Sequence, residues 1–122
     1  MVTALLVEDD PAILSLLGKY LAKRGVAVTA CDSAASAIAE AGMRRFDAAV
    51  IDVTLPDGDG LEVARRIHAI SAPAILIVCS GYPVSEGDVG LPRGTFAILQ
   101  KPFLPSQLWM LIESAVISSS EV

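Results

Sequence analysis

A chain of 122 residues fits one domain and is long enough to bury a real core. Apolar residues make up 53% of it and aromatics only 5%, so that core has to be built from Ala, Val, Ile and Leu. The formal charge of -5 argues against an electrostatic grip on nucleic acid or on an anionic membrane, and no stretch approaches the ~20 apolar residues of a membrane helix.

Short apolar runs alternate with longer segments of helical period. Thr3 to Val7 reads as the first strand. Asp10 and Pro11 then supply an N-cap and a proline at the first helical position. Ile13, Leu14, Leu17, Tyr20 and Leu21 follow at helical spacing, and Gly25 offers the stop. Val26 to Cys31 alternates more than the other runs and suits an edge strand. Ser33 can cap a second helix that carries Ala34, Ala37, Ile38 and Ala41 and ends near Gly42.

Asp47 to Ile51 is the third strand, and Leu55-Pro56-Asp57-Gly58 is a turn or loop by composition. Asp59, with Glu62 three residues on, reads as a capping box for a third helix through about Ile70. Ala74 to Cys79 is the fourth strand and Phe96 to Leu99 the fifth. Between them stand Gly81, Pro83, Gly87, Gly90, Pro92 and Gly94. Glycine costs roughly 1 kcal/mol and proline roughly 3 kcal/mol in a helix interior, so a fourth helix here is expected to be short, irregular or missing. Pro105 opens a last helix along Leu108, Leu111, Ile112, Ala115 and Val116. The serines at 118–120 read as frayed, which gives a domain over 1–118 and a flexible tail over 119–122.

Strands alternating with helices imply an α/β fold: a doubly wound, five-stranded parallel sheet in the order 2-1-3-4-5, covered on both faces. The first, third and fourth runs are nearly all apolar, as central strands are. Ligands of such sheets bind beyond the strands' carboxyl ends, where the winding reverses. Here the reversal falls between the first and third strands, so Glu8, Asp9 and Asp52 are expected to share a crevice.

Two like charges about 5 Å apart repel by roughly 3 kcal/mol at an effective dielectric near 20, so crowded carboxylates require a proton or a cation. Magnesium takes a few carboxylates together with waters and phosphate oxygens, which matches Glu8, Asp9 and Asp52. Asp10, beside Pro11, is better read as a helix cap, whereas no helix starts next to Asp52. A carboxylate can attack phosphorus and carry an acyl phosphate, a transfer that needs positioning and charge neutralisation above all. Lys101 could supply a positive charge to the phosphoryl oxygens and Ser80 a hydroxyl donor.

At these residues the sequence resembles the receiver domain of two-component response regulators (CheY-like), over nearly its whole length. The acid pair of that family is similar to Glu8-Asp9. Its phosphoacceptor resembles Asp52 within Ile51-Asp52-Val53-Thr54-Leu55-Pro56-Asp57-Gly58, its hydroxyl residue Ser80 before Gly81, and its lysine Lys101 before Pro102-Phe103. The resemblance implies a flavodoxin-like fold and a phosphoryl group passed to Asp52 from a sensor histidine kinase or a histidine phosphotransfer protein. It further implies magnesium, with manganese as a substitute, held by Glu8, Asp9, Asp52 and the Thr54 backbone carbonyl, and a cis bond before Pro102. Self-catalysed phosphotransfer is then the whole of the chemistry, and no enzyme with turnover on a small substrate is expected. Two features depart from the family. Ile98 stands three residues before the lysine, where many relatives carry the Tyr or Phe that relocates on phosphorylation, and the stretch 81–95 disfavours the fourth helix.

Acids arriving at position 8 break any signal-peptide layout, so a cytoplasmic location is expected. Cys31 and Cys79 have no ligand pattern near them and read as free thiols, Cys79 as a small buried hydrophobe. His68, with Arg65 and Arg66, reads as solvated, and Glu40 and Arg44 as an i,i+4 pair. Met110 points outward from the last helix with Trp109 on its flank, a surface that suits a partner or a homodimer. With no effector segment in the sequence, the chain reads as a stand-alone receiver or as one cut from a larger protein such as a hybrid kinase. Two rival readings differ in class. A receiver-shaped interaction module working without phosphate is favoured by Ile98 and the stretch 81–95 and opposed by the intact set of Glu8, Asp9, Asp52, Ser80 and Lys101. A flavodoxin-like cofactor binder is disfavoured, because Glu8-Asp9-Asp10 would repel a phosphate after the first strand.

Overall fold

The computed structural model describes residues 2–55, 57–71, 75–81 and 95–120. Five strands form one parallel sheet: β1 (Thr3–Val7), β2 (Ala27–Cys31), β3 (Ala48–Asp52), β6 (Ile75–Ser80) and β7 (Thr95–Gln100). A separate antiparallel ladder pairs β4 (Thr54–Leu55) with β5 (Gly58–Asp59). The helices are α1 (Pro11–Lys23), α2 (Ala34–Met43), α3 (Gly60–Ser71) and α4 (Pro105–Ser120). The sheet order β2-β1-β3-β6-β7 is the expected 2-1-3-4-5 once the short ladder is left out of the count. Most of the stretch expected to disfavour a helix, residues 82–94, lies outside the described residues.

Alternation along the strands builds two cores, one on each face of the sheet. Leu5, Val7, Ala49, Ile51 and Leu76 pack with Ala34, Ala37 and Ala41 of α2 and with Val63, Ala64 and Ile67 of α3. Ala4, Leu6, Ala48, Val50, Ile75 and Ile77 pack with Leu17 and Leu21 of α1 and with Leu108 and Ile112 of α4. Each fully buried Leu or Ile contributes about 1.5–3 kcal/mol of transfer free energy, so both layers clamp the sheet that carries the site.

Local chemistry sets the helix ends. Asp10 Oδ1 accepts from the N–H groups of Ala12 at 2.9 Å and Ile13 at 3.4 Å, with Pro11 next to the cap. Gly25, at φ 84°, lets α1 close with Gly25 N–H donating to Ala22 O and Val26 N–H to Leu21 O, the two bonds of a Schellman end. Asp59 Oδ1 caps α3 through Leu61 N–H at 2.9 Å. The second half of the expected capping box is replaced among the described contacts: Glu62 is held by the Nη2 and Nε of Arg65 at 2.7 and 3.2 Å. A charged donor on the next turn outcompetes a single backbone N–H.

Three boundaries move outward. β3, β6 and β7 each run one residue further than their apolar runs, to Asp52, Ser80 and Gln100, because the parallel ladder still pairs there. α4 continues to Ser120. No glycine or proline follows Val116 to stop it, and serine costs a helix only a few tenths of a kcal/mol. α2 ends at Met43, next to Gly42, as expected. His68, expected in solvent, is half-buried on α3.

Candidate functional site

β1 and β3 are neighbours in register, Val7 opposite Ile51, so Glu8 and Asp52 end adjacent strands at the same edge of the sheet. The Glu8 N–H extends the ladder by donating to Cys31 O at 3.1 Å, which fixes where its side chain leaves the backbone. Glu8 and Asp52 are only 4% and 2% exposed, so two carboxylates are held out of water side by side. That arrangement is untenable without a positive charge.

Lys101 supplies it. Its Nζ donates to Asp52 Oδ2 at 2.8 Å and to Glu8 Oε2 and Oε1 at 2.8 and 3.1 Å. The backbone aims it: Lys101 N–H donates to Ser80 O at 2.7 Å, and the Lys101–Pro102 bond is cis, as the resemblance implied. Asp52 keeps its other oxygen, Oδ1, on the N–H of Thr54 at 2.9 Å. Asp9 is exposed, yet one oxygen of its carboxylate lies within 4.8 Å of oxygens of Glu8 and Asp52. Ser80, fully buried, ends β6 one residue beyond Cys79, the register partner of Asp52. Glu8, Asp9, Asp52 and Lys101 are thus brought together, with Ser80 and Thr54 adjoining through the backbone.

The electrostatics follow from crowding. Burial raises the Glu8 carboxyl above its ordinary range and the Asp52 charge adds to this, while Lys101 works the other way. Burial also opposes the Lys101 charge, but its hydrogen bonds to Asp52 and Glu8 outweigh that and hold the ammonium above its ordinary value. Burial, with the Asp52 charge behind it, pushes the Cys79 thiol up to about 12, so Cys79 serves as a small buried hydrophobe. Both cysteines are free.

Three carboxylates face one ammonium, and their donor set is oxygen alone. Hard cations such as magnesium or calcium fit that set, and exposed Asp9 leaves a side open for waters. Loop residues close the floor. Gly60 N–H donates to Val53 O at 2.9 Å, and a Cβ on Gly60 would run into the Asp52 carbonyl oxygen and the Val53 backbone. Only glycine lets α3 start that close to Asp52. Sequence reasoning passes over Gly60, whose signal is the Asp59-Gly60 pair at a helix start. It also takes Asp57 for a turn residue. The Asp57 carboxylate accepts from the N–H groups of Ala34 at 2.8 Å and Ala35 at 3.2 Å, at the amino end of α2.

Farther from the edge, Ile98 is half-buried on β7, Trp109 packs partly against the α1–α4 core, and Met110 is 65% exposed. No helix among the described residues is long and apolar enough to cross a membrane.

The model of the response regulator receiver domain matches residues 4–113. Protein PetR of Rhodobacter capsulatus is 36% identical over 110 residues, which cover 90% of this chain and 46% of PetR. The chain spans about half or less of the length of the first curated relatives it matches. A response regulator receiver domain protein (CheY-like) from Methanospirillum hungatei JF-1 superposes with a TM-score of 0.88 at 30% identity, covering 100% of this chain and 99% of that one. The response regulator TrrA of Thermotoga maritima, solved in complex with Mg(2+)-BeF, shares the fold with a TM-score of 0.83 at 23% identity, covering 94% and 99%. A match running from Ala4 to Glu113 leaves little of the folded body outside it, and the chain belongs to the response regulator receiver domain family of two-component systems.

Proposed function

We propose that this receiver accepts a phosphoryl group on Asp52 from the phosphohistidine of a sensor histidine kinase or histidine phosphotransfer protein, in a magnesium-dependent reaction, and so relays or switches a signal. The observation that carries this reading is Lys101 Nζ shared between Asp52 and Glu8, with Asp9 reaching the same point. Glu8, Asp9, Asp52 and the Thr54 carbonyl would hold the ion, which supplies charge neutralisation for the phosphoryl oxygens. TrrA, which shares the fold, is solved in complex with Mg(2+)-BeF, in keeping with magnesium as the ion.

Within this reading each residue has a separate task. One Asp52 oxygen forms the bond to phosphorus as the N–P bond of the donor imidazole breaks. Thr54 N–H orients the carboxylate through Oδ1. Lys101 offers its charge to the phosphoryl oxygens, and Ser80 a hydroxyl donor. Such a domain works on its own side chain and turns over no small substrate. Manganese is expected to replace magnesium in the oxygen-only donor set.

The reading extends to a cytoplasmic setting, a receiver domain over 1–118 with a tail over 119–122, and no direct role for nucleic acid or membrane in phosphotransfer. Self-association through the Trp109–Met110 side of α4 belongs to the same proposal, and light scattering of wild type and Met110→Glu checks it. Acetyl phosphate with magnesium is expected to add one phosphoryl group to the wild type and none to Asp52→Asn. Equal labelling of the two proteins would refute the assignment. Half-buried Ile98, in place of an aromatic ring, favours a second reading, an interaction module that works without phosphate. Partner affinity unchanged by beryllofluoride would favour that module.

A further inference from the structure

Between Asp52 and α3 the chain turns through a ladder of two residues on each side, far too short to hold its shape alone. Its base is fastened where Val53 N–H donates to Cys79 O at 2.9 Å, where Thr54 N–H meets Asp52 Oδ1, and where Gly60 N–H meets Val53 O. Its far end is fastened by Asp57. One carboxylate oxygen, Oδ1, takes the Ala34 N–H and the other, Oδ2, takes the Ala35 N–H, across 23 and 22 positions of sequence. The first N–H groups of a helix lack intrahelical partners and present positive potential, so an ionised carboxylate suits them. The two hydrogen bonds, that from Ala34 first, hold the Asp57 carboxyl below its usual range.

Packing repeats the attachment. Leu55 and Ala34 are buried in the same core, and a Cβ on Gly58 would lie 3.5 Å from the Ala34 Cβ, in ordinary contact. α2 has a cap of its own besides: Ser33 Oγ accepts from Ser36 N–H at 3.2 Å. Asp57 therefore joins two elements, and Ser33 serves only one.

We propose that Asp57 is a positioning residue for the phosphoryl site. By pinning the β4–β5 hairpin to α2 it fixes Thr54, and through Thr54 the geometry that Asp52 offers to a cation and a phosphoryl group. This role exists only if Asp52 and Thr54 act as proposed above.

The test compares wild type, Asp57→Ala, Asp57→Asn and Ser33→Ala in labelling with acetyl phosphate across a magnesium titration. Asp57→Ala is expected to raise the magnesium concentration for half-maximal labelling about tenfold, the order seen when a ligand's support is removed, with the plateau largely kept. Asp57→Asn keeps one acceptor oxygen and falls between; it carries the comparison where the alanine variant does not fold. Ser33→Ala lowers the melting temperature and leaves the magnesium midpoint in place. Equal midpoints in Asp57→Ala and wild type, with melting temperatures reduced as in Ser33→Ala, would show Asp57 to be a helix cap and overturn the proposal. A wild type that takes neither magnesium nor phosphoryl group contradicts the assignment of Asp52 instead. Amide exchange at Thr54 in metal-free protein still judges the anchor: faster exchange in Asp57→Ala supports it, and unchanged exchange refutes it.

Discussion

At the scale of single residues, one ammonium makes two buried carboxylates tolerable. Removing a partner from a buried ion pair costs about 3–5 kcal/mol, because the remaining charge has neither water nor a counterion. Lys101→Ala is accordingly expected to lower stability by about 3 kcal/mol in metal-free buffer, read from urea midpoints, with millimolar magnesium returning part of the loss. An unchanged midpoint would contradict this role of Lys101. The Asp57 carboxyl is shifted in the opposite direction from that of Glu8. It is depressed in the fold, so the stability it contributes is present above the unfolded Asp value of 3.8 and is lost as pH falls through the folded value. The gap in melting temperature between wild type and Asp57→Asn should hold steady above about pH 5 and shrink in stronger acid. A gap independent of pH would contradict the ionised contact. Among site residues, Glu8, Asp52 and Lys101 are legible in the sequence because a charge closing a buried apolar run must be desolvated, a cost that a fold accepts at a site. Asp57 is not, because its partners lie more than twenty positions away and no spacing rule connects them.

At the scale of elements, the sheet presents the acids and the loop behind Asp52 shapes what they offer. Gly60 starts α3 in contact with the Asp52 backbone, so Gly60→Ala must push the helix or the loop aside. The expected cost is about 3 kcal/mol, with loss of labelling beyond what the fall in stability accounts for. Labelling of folded Gly60→Ala at the wild-type rate would contradict the tight floor. Core positions behave differently. Ile112→Ala on α4 is expected to cost about 2–5 kcal/mol by chemical denaturation and to leave labelling of the folded protein nearly unchanged. Capping and stop signals are readable for α1, where Asp10, Pro11 and Gly25 serve the roles their chemistry fits. The capping box expected for α3 fails because a pattern of two residues takes no account of a third competitor, here Arg65. The two-residue ladder of β4 and β5 leaves no trace in the sequence, since a segment that short carries no periodicity.

At the scale of the whole molecule, the winding of the chain converts sequence distance into proximity. Apolar runs that alternate with amphipathic helices specify the sheet order, and the order alone puts positions 8, 52 and 101 at one edge. This part of the structure is readable in full, because a strand buried on both faces leaves a continuous apolar signature. The helix ends and the last residues of α4 are less so, because marginal terms of a few tenths of a kcal/mol decide them. Metal binding should feed back on the entire fold. At a hundredfold excess over its dissociation constant, magnesium is expected to add about 2.7 kcal/mol of stability, visible as a higher melting temperature. Asp9→Asn should blunt that shift, and a full shift in Asp9→Asn would remove Asp9 from the ligand set.

The most direct measurement is chemical. Borohydride reduction of an acyl phosphate converts its aspartate to homoserine, which peptide mass mapping locates. After acetyl phosphate and magnesium, homoserine is expected at position 52 and nowhere else, and at no position when chelator replaces the metal. Homoserine at position 9 or 10, or none at all under labelling conditions, would contradict the account.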